Sequence, residues 1–214
     1  MYVPKYFEET DTEAIHALID ASPLATFVVQ GPAGLVVNHI PFLRQSRDTN
    51  LYLLAHVPRA NPLSELLHES RPCACIFHGP DGYISPSWYA TKAEHGKVVP
   101  TWNYAVAHAH GEAGVIDSPE WVRHQIEALT RQNEHGRASP WEVSDAPDDY
   151  IEKLLTTLVG IEVVVERLEA KVKASQNQPQ VNRESVLSAL RHEQPDSLFT
   201  GFMSAVLPQH RDEP

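Results

Sequence analysis

The chain has 214 residues and a formal net charge of −11, with 28 acidic against 17 basic side chains and 42% hydrophobic residues. That length is enough for one large domain or a domain with an appendage. The acidic balance is a poor footprint for gripping phosphate backbones, which takes clustered Lys and Arg. No apolar run reaches the ~20 residues of a membrane span, and the opening MYVPKYFEET lacks the apolar core of a signal peptide, so the chain reads as a soluble cytoplasmic protein.

Thr10, with Glu13 three residues on, reads as a capping box, and Ile15, Leu18 and Ile19 continue a short amphipathic helix to about Ala21. Residues 24–30 are rich in β-formers, Gly31-Pro32-Ala33-Gly34 is turn material, and residues 35–43 return as the second strand of a hairpin. Asn38 and His39 lie in the middle of that second strand, where a polar side chain faces either solvent or a ligand.

Residues 51–56 form a third strand. After it, Asn61 is a natural N-cap and Pro62 suits the first helical position. A helix start with Arg59 just ahead of it is an anion site in miniature, combining free N–H groups, the positive dipole end and a guanidinium. An ordinary capped helix is the plain alternative. Residues 72–79 are a fourth strand carrying Cys73 and Cys75, which as i, i+2 neighbours share one face and read as two small buried side chains.

Residues 83–111 concentrate the chemistry. Trp88, Tyr89, Trp102 and Tyr104 alternate with Ser, Thr, Lys, His and Asn side chains, a composition suited to a flat, polar-edged ligand or to an ordered loop folded into the core. Residues 101–115 read as a long strand with Gly111 as a candidate bulge. His108 and His110 would share a face of it, but no acidic residue at metal-ligand spacing accompanies them, so no metal is expected.

Ser118-Pro119-Glu120 opens a helix that Gly136 ends, and Ala146-Pro147-Asp148-Asp149 opens another. Residues 161–175 are the last strand, with a phase slip near Glu166 and Arg167 that reads as a β-bulge. The second half of that strand carries Lys171 and Lys173 on one face and ends in Ser175-Gln176-Asn177. Asn182 can cap a helix to Arg191. Leu198, Phe199, Phe202, Met203 and Val206 then define a terminal helix too apolar to hang free, which must dock on the body or on a partner subunit.

These pieces add up to an α+β protein, a small closed or nearly closed antiparallel barrel with peripheral helices. No GxGxxG, GxSxG or GxxxxGK[ST] is present, which removes the Rossmann, nucleophile-elbow and P-loop readings.

Several motifs carry a resemblance. Asn38-His39-Ile40-Pro41, His56-Val57-Pro58-Arg59-Ala60-Asn61-Pro62, Tyr83-Ile84-Ser85-Pro86-Ser87-Trp88-Tyr89, the run from Lys97 to Tyr104, and Ser175-Gln176-Asn177 resemble the PaiB family, described as FMN-binding negative transcriptional regulators. The resemblance covers nearly the whole chain. It implies an FMN-binding split β-barrel of the pyridoxamine-phosphate-oxidase-like type, a homodimer with flavin at the subunit interface. Residues 1–177 would form the barrel and residues 178–214 a C-terminal helical appendage. Val172 stands where the family has a tryptophan, and Ala170 and Ala174 stand for its glycine and leucine.

Read through that resemblance, Arg59 and Asn61 would hold the FMN phosphate with help from Lys171 or Lys173, beside the polar anchor of Ser175 and Gln176. Asn38, His39, His56 and Val57 would line the ring, and Trp88, Trp102 and Asn103 would close the pocket. No general acid is evident. The function classes are a flavin-binding regulator and a flavin-dependent oxidoreductase acting on a small molecule. The family description admits DNA as a partner, whereas the net charge speaks against a general DNA surface and leaves regulation through a partner, through metabolism, or through a small basic patch formed across the dimer from Lys171, Lys173, Arg183 and Arg191.

Overall fold

The computed structural model describes residues 1–207. The strands are β1 (Glu8–Glu9), β2 (Leu24–Gly31), β3 (Gly34–Pro41), β4 (Leu43–Arg47), β5 (Asn50–Pro58), β6 (Arg71–Ile84), β7 (Thr101–Ile116) and β8 (Leu158–Lys173). The helices are α1 (Thr12–Ala21), α2 (Leu63–Leu66), α3 (Lys92–His95), α4 (Pro119–Glu134), α5 (Asp148–Leu155), α6 (Gln180–Glu193) and α7 (Leu198–Val206). The strands form one sheet in the order β3-β2-β6-β7-β8-β5-β4, with β1 added to β8. The path ends at β3 and β4 without closing, and each pair for which a register is defined is antiparallel.

The residues group into two compact units, one made of residues 19–77 and 108–168, the other of residues 1–18, 78–107 and 169–207. The barrel unit, residues 19–77 and 108–168, is built on the hairpin β2–β3, whose register from Leu24↔Pro41 to Gly31↔Gly34 leaves Pro32 and Ala33 as the two-residue turn. Gly34 takes φ +128 there, a conformation open to glycine and costly to others. The sequence reading ran β3 through to Leu43. Instead the chain breaks at Phe42 and a separate strand, β4, pairs with β5 from Leu43↔Leu54 to Arg47↔Asn50. Phe42 turns inward, and its ring lies 5.8 Å from Phe27 and 6.5 Å from Phe77 in a core of fully buried aromatics. Cys73 and Cys75 are buried free thiols beside them, and burial pushes the Cys75 thiol up.

Gly111 marks a close approach. A Cβ there would run into the Val164 carbonyl oxygen of the crossing β8, so β7 and β8 pack only with glycine at that point. Trp121 on α4 similarly covers Gly160. Helix α4 starts where its sequence predicts, with the Ser118 hydroxyl accepting from the Trp121 amide at 3.3 Å.

In the second unit, α6 and α7 pack on the end of β6 and the turn after β8 through Ile84, Tyr89, Ala174, Leu190, Phe199 and Met203, all buried. Burial of each Ile, Leu, Phe or Met side chain among them contributes about 1.5–3 kcal/mol. Phe199 and Met203 of α7 are thus buried within their own unit, with Phe202 and Val206 partly so, while Leu198 stays 85% exposed. The helix starts differ from the sequence reading at two places. Asp11, not Thr10, caps α1: its Oδ1 accepts from the Glu13 amide at 3.0 Å, which makes Glu13 the second helical residue, too early to close a box. Helix α6 begins at Gln180, because the Pro179 carbonyl takes the first amides from Asn182 and Arg183. Asn182 is thus inside the helix, buried, and bridges to Thr91 through its Oδ1 at 3.1 Å and its Nδ2 at 3.0 Å. Residues 208–214 of the expected C-terminal appendage lie outside the described residues. Among the described residues no helix is long and apolar enough to cross a membrane.

Candidate flavin site

The residues singled out by sequence divide between the two units. Asn38, His39, His56, Val57, Arg59 and Asn61 belong to the barrel unit. Trp88, Trp102, Asn103, Lys171, Lys173, Ser175 and Gln176 belong to the other.

In the barrel unit the strand period separates neighbours. Asn38 faces Asn61, whose Nδ2 donates to Asn38 Oδ1 at 3.1 Å, while exposed His39 lies 3.3 Å from the Thr26 hydroxyl on the other face. His56 and Val57 cannot both line one ring. Val57 is buried in the core, and His56 turns to α4, where its Nδ1 sits 2.7 Å from Gln125 Oε1. Gln125 Nε2 donates to the Leu54 carbonyl at 3.3 Å, so the Gln125 oxygen is the acceptor and His56 Nδ1 carries the proton.

Both halves of the expected phosphate site here are committed elsewhere. Helix α2 has only four residues, too short to build an axial dipole. Asn61 does close its start, with Oδ1 accepting from the Leu63 amide at 3.0 Å. Arg59 forks onto Asp117 in a two-bond pair at 2.8 and 2.6 Å. The pair raises the arginine and holds the Asp117 carboxyl below the usual carboxylate range, in each case chiefly through the shared hydrogen bonds. Nothing within a short stretch of sequence joins these two residues, so reading the chain alone missed Asp117.

In the second unit Trp88 is a tether rather than a lid. Its indole N–H donates to Glu193 Oε1 at 2.9 Å and its carbonyl accepts from the Ser185 hydroxyl at 2.6 Å. Asn103 is fully buried and donates to Ser175 Oγ at 2.7 Å, so it positions the turn and does not reach outward. Ser175 takes φ +64, and Gln176 clasps the strand end, accepting from the Ala174 amide at 2.7 Å and donating to the Val172 carbonyl at 2.6 Å. Ser175 and Gln176 thus terminate β8 instead of presenting a polar anchor.

What remains open is a cationic and aromatic cluster. Lys173 Nζ donates to the Thr101 hydroxyl and to the Trp102 carbonyl, the latter at 2.8 Å. Lys171 Nζ donates to the Tyr2 carbonyl at 3.3 Å and lies 5.3 Å from the centre of the Tyr104 ring. Among the described residues no carboxylate pairs with either ammonium. Burial lowers Lys173, and the neighbouring Lys171 adds to that, against the raising effect of Tyr104. Trp102 is 55% exposed and meets Tyr83 edge-on at 6.1 Å. Lys171 is 9% exposed and Arg183 6% in the single chain.

Two ammonium groups without a carboxylate partner among the described residues, beside an exposed indole, could hold FMN, which brings a phosphate dianion and a flat ring. The antiparallel sheet that does not close is a split barrel, a fold of flavin-binding proteins. Residues 1–167 match the family described as "Putative FMN-binding domain", and the chain belongs to that family, with FMN as its cofactor. An uncharacterised protein of Emericella nidulans is 32% identical, over 90% of this chain and 91% of its own length. The protease synthase and sporulation protein PAI 2 of Bacillus subtilis, a PaiB protein, is 28% identical over 91% of each chain. Among solved structures, the FAD and heme binding protein of Mycobacterium smegmatis matches with a TM-score of 0.59 and 20% identity, over 85% of this chain and 79% of that one.

Proposed function

We propose that this chain is a flavin-holding regulatory protein of the PaiB type, with the FMN phosphate at Lys171 and Lys173. The observation that carries the reading is the pair of half-buried and buried ammonium groups with no carboxylate partner among the described residues. Two like charges held together on one strand face are costly, and a dianion would offset that cost. Trp102 and Tyr83 offer an exposed aromatic wall for the ring. When bound, FMN supplies hydride and one-electron transfer, and the protein supplies position and electrostatics. The Thr101 hydroxyl and the Trp102 carbonyl hold the Lys173 ammonium in place. The regulatory role is supported by the similarity to the PAI 2 protein alone.

We further infer a homodimer. Most of the apolar face of α7 is buried in its own unit, but Leu198 is 85% exposed there, and Leu35 is 69% and Val37 53% exposed on β3, a strand at one end of the sheet path. An exposed apolar strip on an end strand favours association.

The test is a visible spectrum of the purified protein, followed by titration with NADH or NADPH and a promoter-fragment binding assay. Yellow protein whose flavin stays inert, together with salt-sensitive promoter binding, supports the regulator. Rapid flavin reduction with turnover of an acceptor would replace it with an oxidoreductase. Colourless protein that takes up no added FMN would remove both.

A further inference from the structure

The barrel unit contains a cavity of about 370 Å³ under α4, α5 and the segment joining them. We propose that it is a binding site for a small aromatic or branched aliphatic carboxylate. Its walls are mostly apolar, from residues such as Leu154 and Leu158, with half-exposed Trp141 and Tyr150 at its opening. The volume falls at the lower end of the roughly 300–1,000 Å³ typical of small-molecule sites, enough for one or two rings.

Charge decides the class of ligand. Arg123 and His56 line the cavity, and no acidic side chain does. Among the described residues no carboxylate pairs with Arg123. An arginine held against an apolar pocket without a counter-ion favours an incoming carboxylate, which it can bind through two parallel hydrogen bonds. His56 is held in place, because Gln125 Oε1 accepts from its Nδ1 at 2.7 Å, and its second nitrogen remains for the cavity. Gln125 is itself buried and anchored to the Leu54 carbonyl, so this polar end of the cavity is fixed before any ligand arrives. None of the residues proposed for the flavin lines the cavity apart from His56, which the structure turns towards α4. The inference therefore stands or falls apart from the FMN reading.

The experiment is calorimetric titration of the full-length protein, as purified, with 2-naphthoate and with its neutral counterpart 2-naphthalenemethanol. The expected result is that the carboxylate binds at least tenfold more tightly than the alcohol. Arg123→Gln should erase that difference while leaving alcohol binding, circular dichroism and any flavin absorbance unchanged. Trp141 fluorescence should respond to the carboxylate, and the response should be lost in Trp141→Phe. Equal binding of the two probes, undiminished carboxylate binding in Arg123→Gln, or no binding of either at millimolar probe would each overturn the proposal. So would release of flavin on adding naphthoate, because the cavity would then belong to the flavin site.

Discussion

Arg59 and Asp117 lie 58 residues apart in sequence, yet the guanidinium holds the carboxylate through two hydrogen bonds of 2.8 and 2.6 Å. Arg59 also lies within 3.3 Å of the Leu158 carbonyl, so the pair gathers the end of β5, the loop after β7 and the start of β8. An arginine so engaged is a poor phosphate ligand. Arg59→Ala should therefore change FMN and riboflavin affinity about equally. It should also return Asp117 to the ordinary carboxylate range, visible in an NMR titration of the Asp117 side chain. The sign follows from linkage: a carboxyl lowered in the fold favours folding above its ordinary value, and that contribution is lost as pH falls through the lowered one. A selective loss of FMN over riboflavin would show that Arg59 lets go of Asp117 to hold the phosphate.

The lysine pair makes the opposite prediction. Lys171→Ala with Lys173→Ala should weaken FMN more than riboflavin, because only FMN carries the dianion. Charge-assisted contacts are worth about 1.5–3 kcal/mol, roughly ten- to a hundredfold in affinity. The pH dependence has a definite direction. Burial lowers Lys173, and the phosphate needs it protonated, so FMN affinity should fall as pH rises, beginning below the ordinary lysine value. In the free protein the same shift makes folding more favourable as pH rises from the lowered value to the ordinary one, since the unfolded chain then binds more protons. Flavin fluorescence titrations across alkaline pH check the first statement. Riboflavin affinity that fell in parallel with FMN would contradict it.

Ser175 combines a positive φ with a hydrogen bond to the buried Asn103. Ser175→Ala removes the hydroxyl and keeps the backbone strain. Leaving the Asn103 amide unsatisfied should cost about 1–3 kcal/mol. Ser175→Gly loses the same bond but relaxes the left-handed backbone by roughly 1 kcal/mol, so it should unfold at higher urea than the alanine variant. Alanine at least as stable as glycine would show that the φ carries no cost here.

How much of this was readable in advance depended on the range of the interactions. The β2–β3 hairpin follows from two β-rich runs around Gly31-Pro32-Ala33-Gly34, and the start of α4 from Ser118-Pro119-Glu120, because turn and cap chemistry is local. Lys171 and Lys173 could be placed on one face by the strand period alone. The destinations of Arg59, His56 and Trp88 could not, because Asp117, Gln125 and Glu193 lie 58, 69 and 105 residues away. The helix start at residue 180 was missed for a related reason. Asn182 is a good capping residue, but its amide group is drawn to Thr91 across the fold. Tertiary partners override the local preference.

The last prediction concerns the free edge of the sheet. On β3, Leu35 and Val37 point outward two residues apart, and across the hairpin Leu24 is 61% exposed. An edge strand left in solution as a monomer is ordinarily blunted by charge or proline; β3 has only Pro41 at its far end, and Leu35 and Val37 are not interrupted by charge. The edge is therefore expected to be covered by a second copy of the chain, and a stable dimer needs roughly 1,200 Å² or more in total. Sedimentation at micromolar concentration should give a dimer near twice 23.9 kDa. Val37→Glu should shift it toward the monomer: Val37 pairs with Val28 inside the hairpin, but its side chain stands in solvent, so a monomer tolerates the charge. A wild-type monomer would remove the dimer. A Val37→Glu protein that stays dimeric would place the interface elsewhere, and the intact hairpin could be confirmed in either case by circular dichroism.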